Sequence, residues 1–161
     1  MAINKAKKSE IFAKMKEVAK APSIAFVNFK ALSVGNTTKM RKGLRDNGIT
    51  YVVAKKTIAK KALNEAGITG ELPVLDGEIG FAYGQDLIAP AREVFKFQKE
   101  FTDKVTIVGG VFEGKFMNKS EMTEIATIPS MHTLRGMFVN LINSPIQGLA
   151  IALDAIAAKK Q

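Results

Sequence analysis

Residues 23–29 read Ser-Ile-Ala-Phe-Val-Asn-Phe. The run is too short for a buried helix and is rich in β-branched and aromatic side chains, so it is expected to be a buried strand. Upstream, Ile11, Phe12, Met15, Val18 and Ala19 fall on one helical stripe that stops before Pro22. Downstream, Thr37 or Thr38 can cap a second helix that carries Met40 and Leu44 inward and ends at Asn47-Gly48. Tyr51 to Ala54 reads as a short strand, and Ile58, Ala59, Ala62 and Leu63 as a third helical stripe closed by Gly67. Glu78 to Tyr83 is a strand; Asp86 caps a helix through Val94, Phe95 and Phe101, with Pro90 in its first turn, where proline costs little. Lys104 to Phe112 is the last strand, with a bulge expected at Gly109-Gly110, and a short helix from Ser120 ends before Pro129. This order makes two split β-α-β units with an extra helix between them. The expected fold class is α+β: a mixed β-sheet with packed helices, ferredoxin-like, followed by a protruding C-terminal helix. Strand order is not legible from the sequence.

From Ser130 the chain changes character. Between Ile125 and Ala158 the charged side chains are Arg135 and Asp154. Apolar side chains recur at Met131, Leu134, Phe138, Leu141 and Ile142, then at Ile146, Leu149, Leu153 and Ile156, at the threes and fours of a helical stripe. Leu134 to Leu141 is echoed by Ile146 to Leu153, glycine on glycine, with Pro145 between the copies, where a kink or break is expected. Such a helix either packs on its own domain or is covered by a partner. The preceding residues already hold a complete set of elements, which favours a partner. Residues 1–129 and 130–161 are therefore expected to be separate domains.

Composition narrows the function. Of 161 residues, 47% are hydrophobic and 24% charged, which is globular composition. Cysteine is absent, which removes disulfides and thiolate chemistry and fits a reducing compartment. The N-terminal MAINKAKKSE has no apolar core behind it and is not expected to be a secretory signal. No uninterrupted apolar run approaches the ~18–20 residues of a membrane span, and the lysines do not line one bulky amphipathic helix, so no membrane partner is expected. His132 has no second ligand near it in sequence, so no metal or other cofactor is expected. Gly109 to Phe116 imitates a phosphate-binding loop, but Phe116 stands where a magnesium-binding hydroxyl belongs and no helix opens at Gly114. The chain is not expected to be an enzyme.

The net charge of +9 is concentrated in one part of the chain. Residues 1–61 hold fifteen Lys and Arg against Glu10, Glu17 and Asp46, a surplus of +12, while the remainder carries −3. Such a block is the footprint of a polyanion-binding surface. Lys5, Lys7 and Lys8 are expected to precede the first helix, Lys30 follows the first strand, and Arg41, Lys42 and Arg45 share the second helix. Lys55, Lys56 and Lys60 surround the start of the third helix, where backbone N–H groups also favour phosphate. Few aromatics lie among them, so recognition of a folded RNA by shape and phosphate fits better than base stacking.

The chain resembles the bacterial large-subunit ribosomal protein L-ten family along essentially its whole length. The resemblance is carried by Phe29-Lys-Ala-Leu-Ser-Val34, by Arg41-Lys-Gly-Leu-Arg45 followed by Gly48, and by Val52-Val-Ala-Lys-Lys56-Thr57-Ile58 with Ala62-Leu63. Gly109-Gly-Val-Phe-Glu-Gly114 and Ile128-Pro129-Ser130 also match. Ala31 replaces a family glycine and Lys56 a family asparagine. The resemblance implies a structural constituent of the large subunit, cytoplasmic on the ribosome. Its N-terminal domain would bind rRNA of the GTPase-associated region beside the protein L-eleven. Its C-terminal helix would carry acidic stalk-protein dimers that recruit translational GTPases. It makes Lys30, Arg41, Arg45, Lys55 and Lys56 rRNA-binding residues, with Lys5, Lys7, Lys8, Lys42 and Lys60 joining on charge. It makes Met137, Leu141, Ile142, Ile146, Leu149, Leu153 and Ile156 the stalk-dimer surface. The tail is shorter than in members carrying three dimers, which implies two. A free RNA-binding translational regulator that self-associates through its tail is the alternative function.

Overall fold

The computed structural model describes residues 5–30, 32–75, 77–101 and 104–160. In chain order the elements are α1 (Lys5–Ala19), β1 (Ser23–Phe29), α2 (Val34–Asp46), β2 (Thr50–Val53), α3 (Lys56–Glu65), β3 (Ile79–Gly84), α4 (Ala89–Glu100), β4 (Val105–Phe112), β5 (Lys115–Asn118), α5 (Lys119–Thr127) and α6 (Met131–Lys160). The strands form one five-stranded sheet in the order β2-β3-β1-β4-β5. Its first four strands have the ferredoxin-like arrangement, in which the two arms of each split unit run parallel but are separated by another strand. Every ladder between neighbours is consequently antiparallel, and among the described residues a parallel pairing occurs only in the isolated bridge of Thr69 to Lys115.

β1 lies between β3 and β4, and Ser23 through Val27 are fully buried, which is why Ile24 through Val27 read as an unbroken apolar run. Its alternate residues serve two cores. Ile24 and Phe26 pack with Phe81, Met15, Val18, Ala59 and Leu63, beneath α1 and α3. Ala25 and Val27 pack with Met40, Leu44, Val94, Ile107 and Met122, beneath α2, α4 and α5. Phe26 meets Phe81 edge to face at 5.4 Å between ring centroids, a pair worth about 0.5–1.5 kcal/mol beyond its buried area. Glu93 is 5% exposed. Its carboxylate accepts from Lys96 Nζ at 2.8 Å, Arg92 Nε at 3.3 Å and Asn47 Nδ2 at 3.4 Å, so the buried charge is compensated and α4 is tied to the end of α2.

Several local expectations shift. α2 starts a turn earlier than its threonines suggest: Ser33 is the N-cap, accepting from the Asn36 N–H at 3.4 Å. Thr37 and Thr38 lie inside and donate back to the Ser33 and Val34 carbonyls. The expected bulge is present, since Phe26 pairs with Gly109 while Val27 pairs with Ile107, leaving Val108 over. β5 was not anticipated. It is joined to β4 by Glu113 and Gly114, both at positive φ (50° and 75°), as a two-residue type I′ hairpin requires. The phosphate-loop lookalike is this hairpin: Val111 pairs with Phe116 and Phe112 with Lys115.

The chain divides into two compact units, residues 1–128 and 129–161. In the second, α6 continues through Pro145, so of the kink or break expected there the break does not occur. Proline removes the bond an N–H would donate to the Leu141 carbonyl and its ring crowds that carbonyl, but an exposed carbonyl can turn to water instead.

Candidate functional site

β2 is an edge strand of the sheet. α2 leads into it from one sheet face and α3 leaves it on the other. Helix stripes place Met40 and Leu44, and Ala59, Ala62 and Leu63, in the cores. This turns Arg41, Lys42 and Arg45 of α2, and Lys55 and Lys60 around α3, toward solvent, while Lys56 is half-buried. Lys8 and Lys30 are exposed as well. α1 begins at Lys5, so Lys5, Lys7 and Lys8 lie in the first turn of the helix rather than before it; the side chains of Lys5 and Lys7 lie outside the described residues.

Ring and cleft contacts bring part of this set together. Arg41 sits over the Tyr51 ring of β2, its guanidinium carbon 5.7 Å from the centroid. Tyr51 meets Phe29 edge-on at 6.4 Å. Burial pushes the Tyr51 phenol well above its ordinary range, an effect the Arg41 charge partly opposes. Phe29 in turn lines a cleft of about 710 Å³ together with Ile11, Val53, Lys55, Lys56 and Glu78. Lys30 follows Phe29 in the chain, with its N–H held by the Lys104 carbonyl at 2.9 Å. Lys8 precedes Ile11 by one helical turn. Lys42, Arg45 and Lys60 lie outside this run of contacts.

Among the described residues the ion pairs use Lys16 with Glu65, and Arg92 and Lys96 with Glu93. Lys8, Lys30, Arg41, Lys42, Arg45, Lys55, Lys56 and Lys60 are in none of them. Cations left unpaired by the fold are available to a polyanion at no cost in broken salt bridges. No side chain caps the N-terminus of α3, which begins at Lys56, so its first N–H groups add to the same field. The Arg41–Tyr51–Phe29 contact was not foreseen from the sequence. A β2 residue of alternating pattern next to a basic helix was the one available signal.

In the second unit, every residue from 131 to 159 is exposed. Met137, Leu141, Ile142, Ile146, Leu149, Leu153 and Ile156 are each more than half exposed, and so are Phe138, Val139 and Ile151, which the sequence-based surface omitted. By length and composition alone α6 could cross a membrane. The sequence had argued otherwise from the lack of an uninterrupted apolar run, because polar residues such as Asn140, Asn143, Ser144 and Gln147 recur along it.

Comparison with known proteins agrees with both parts of the chain. Residues 3–99 match the family described as ribosomal protein L10, and residues 128–161 match the ribosomal protein uL10 C-terminal region. The large ribosomal subunit protein uL10 of Fusobacterium nucleatum is 38% identical over 161 aligned residues, covering 96% of this chain and 95% of that protein. The uL10 proteins of Shouchella clausii and Lactobacillus acidophilus are 34% and 36% identical, covering 95% and 89% of this chain and 90% and 86% of theirs. The chain belongs to the ribosomal protein L10 (uL10) family.

Proposed function

We propose that this chain is the stalk base of the large ribosomal subunit, with residues 1–129 binding large-subunit rRNA and residues 130–161 carrying acidic stalk-protein dimers. Family membership makes it a structural, non-enzymatic constituent of that subunit, associated with the ribosome and its rRNA. The finer roles rest on physical argument.

The observation that carries the reading is α6, a 30-residue helix whose large aliphatic side chains are all exposed. Each such side chain gains about 1.5–3 kcal/mol when covered, so several of them on one stripe support tight binding even after the costs of association. An apolar surface of this extent calls for a partner. In the first unit, the cations around β2 that form no ion pair among the described residues suit RNA phosphates. The same reading puts the protein L-eleven beside the basic unit and translational GTPases at the far end of the stalk dimers, in the cytoplasm.

Native mass spectrometry of the tagged chain, recovered from its own cells at moderate salt, tests this. One chain with four copies of a small acidic protein is the expected result. Six copies would keep the role and correct the count of two dimers. A homodimer or lone chain that carries RNA without an acidic partner would overturn the stalk reading in favour of the free regulator. Recovery in the membrane fraction would overturn both.

A further inference from the structure

Building on the rRNA reading above, we propose that the cleft between β1, β2 and α3 holds one unstacked nucleotide of that RNA, with a base that bears an exocyclic amino group. At about 710 Å³ the space lies within the ~300–1,000 Å³ typical of sites that enclose small ligands. Its lining divides into three chemistries. Phe29, Val53 and Ile79 supply an apolar wall, and Val53 is 44% exposed although it sits in a strand. An aromatic and aliphatic wall of this kind suits the face of a base drawn out of its stack. Lys55 and Lys56 stand at the uncapped start of α3, where the ribose phosphate would meet two cations and backbone N–H groups.

The third element is Glu78, an acid on the wall of a basic cleft. Its backbone is fixed at the entry to β3, its carbonyl accepting from the Phe29 N–H at 3.1 Å. Among the described residues its carboxylate has no ion-pair partner, although two lysines share the cleft. For a site that bound phosphate alone, a carboxylate here would be a penalty. For a nucleotide it is an acceptor, paired with the amino group of adenine, cytosine or guanine, as acidic side chains pair with cytosine N4. Uracil offers no amino group and is disfavoured.

The test compares the full-length protein with three variants, Val53→Trp, Glu78→Gln and the double variant Lys55→Ala/Lys56→Ala, binding to the large-subunit rRNA fragment across a salt series. Val53→Trp fills the cleft without changing charge, and should weaken binding about tenfold at an unchanged salt slope. Glu78→Gln carries the sign that decides. Deleting a negative charge beside lysines would on field alone tighten RNA binding, whereas loss of an amino acceptor weakens it, here by about five- to tenfold. Circular dichroism checks that each variant is folded. If Val53→Trp does not fold, Glu78→Gln, at an exposed position and with its volume preserved, decides alone. If binding by Glu78→Gln is unchanged or tighter while the double lysine variant is weakened, the nucleotide cleft is wrong and the rRNA surface stands. If the double lysine variant also binds like the natural sequence, the rRNA surface itself is wrong.

Discussion

The Arg41 guanidinium carbon lies 5.7 Å from the centre of the Tyr51 ring, so a cation of α2 is held against the edge strand by an aromatic face. The contact limits where a long, otherwise free side chain can go, and a preordered cation loses less entropy when it meets phosphate. A cation–π contact at an exposed site is worth about 0.5–1 kcal/mol. Tyr51→Leu should therefore lower rRNA affinity about two- to fivefold, and Tyr51→Phe, which keeps the ring, should not. Equal binding by Tyr51→Leu and the natural sequence would show that the contact does not organise Arg41 for RNA.

Lys55 and Lys56 flank the start of α3 without an ion-pair partner among the described residues. If each neutralises a phosphate, replacing both by alanine removes two counterion-release terms. The slope of log affinity against log salt should become shallower by about 1.4–1.8. A titration series at several salt concentrations reads this directly, and affinity lost at constant slope would mean that packing rather than charge was removed.

How much of this was legible depends on the range of each interaction. β1 was legible because a strand buried on both faces must be apolar at consecutive positions, and Ile24 to Val27 are. The stripes of α1, α3 and α4 were legible because a helix shows its core face within its own sequence. Sheet order was not: it depends on Ala25 meeting Ala82 on one side and Gly110 on the other, partners more than fifty residues away. β5 was missed because its turn uses Glu113 at positive φ, a position where asparagine or aspartate would have given the usual signal. The cap of α2 was placed at Thr37 or Thr38 rather than Ser33 because all three hydroxyls can satisfy a backbone group, and only the path of the chain chooses between them. At the candidate site the charges were legible as a block. Their linkage through Tyr51 and Phe29 was not, because it joins three separate elements.

Tyr51 also predicts an alkaline limit. An unfolded tyrosine ionises near pH ~10, while burial holds the folded phenol protonated to higher pH. Above pH ~10 the unfolded chain therefore releases the proton first. The stability associated with the neutral phenol is complete below that value and declines as pH rises beyond it. Denaturant unfolding between about pH 9 and about pH 11 should show a fall in stability that Tyr51→Phe reduces. Superimposable pH profiles would mean that the Tyr51 hydroxyl is hydrated in the folded state.

Two glycines provide a matched pair. A Cβ at Gly110 would run into the Ile24 carbonyl oxygen and lie 2.7 Å from Met122 Cε, so backbone and core would both have to shift. Gly110→Ala should cost about 1–3 kcal/mol by overpacking. A Cβ at Gly136, inside α6, would meet nothing within 4 Å, and Gly136→Ala should stabilise that helix by about 0.5–1 kcal/mol. Thermal unfolding measures the first, and helical circular dichroism the second. If Gly136→Ala raises helicity but weakens stalk-protein binding, the glycine is there to let a partner approach the backbone closely.

The last prediction separates the two units. Both buried cores draw their members from residues 15–126, and every described residue of α6 from 131 to 159 is exposed. A chain ending at residue 129 should accordingly unfold at the same temperature as the full chain, bind rRNA with the same affinity and salt slope, and bind no stalk protein. Within the full chain, Leu149→Asp places a carboxylate on the apolar stripe, where covering it would bury an unpaired charge. The helix itself should persist, because the side chain is solvated until a partner arrives. Native mass spectrometry should then count two acidic copies instead of four, with the dimer seated away from position 149 retained. Four copies on Leu149→Asp would place the interface on another face of α6, with Val139 and Ile151 as the residues to change next. Loss of rRNA binding on truncation would instead mean that the RNA surface extends into the tail.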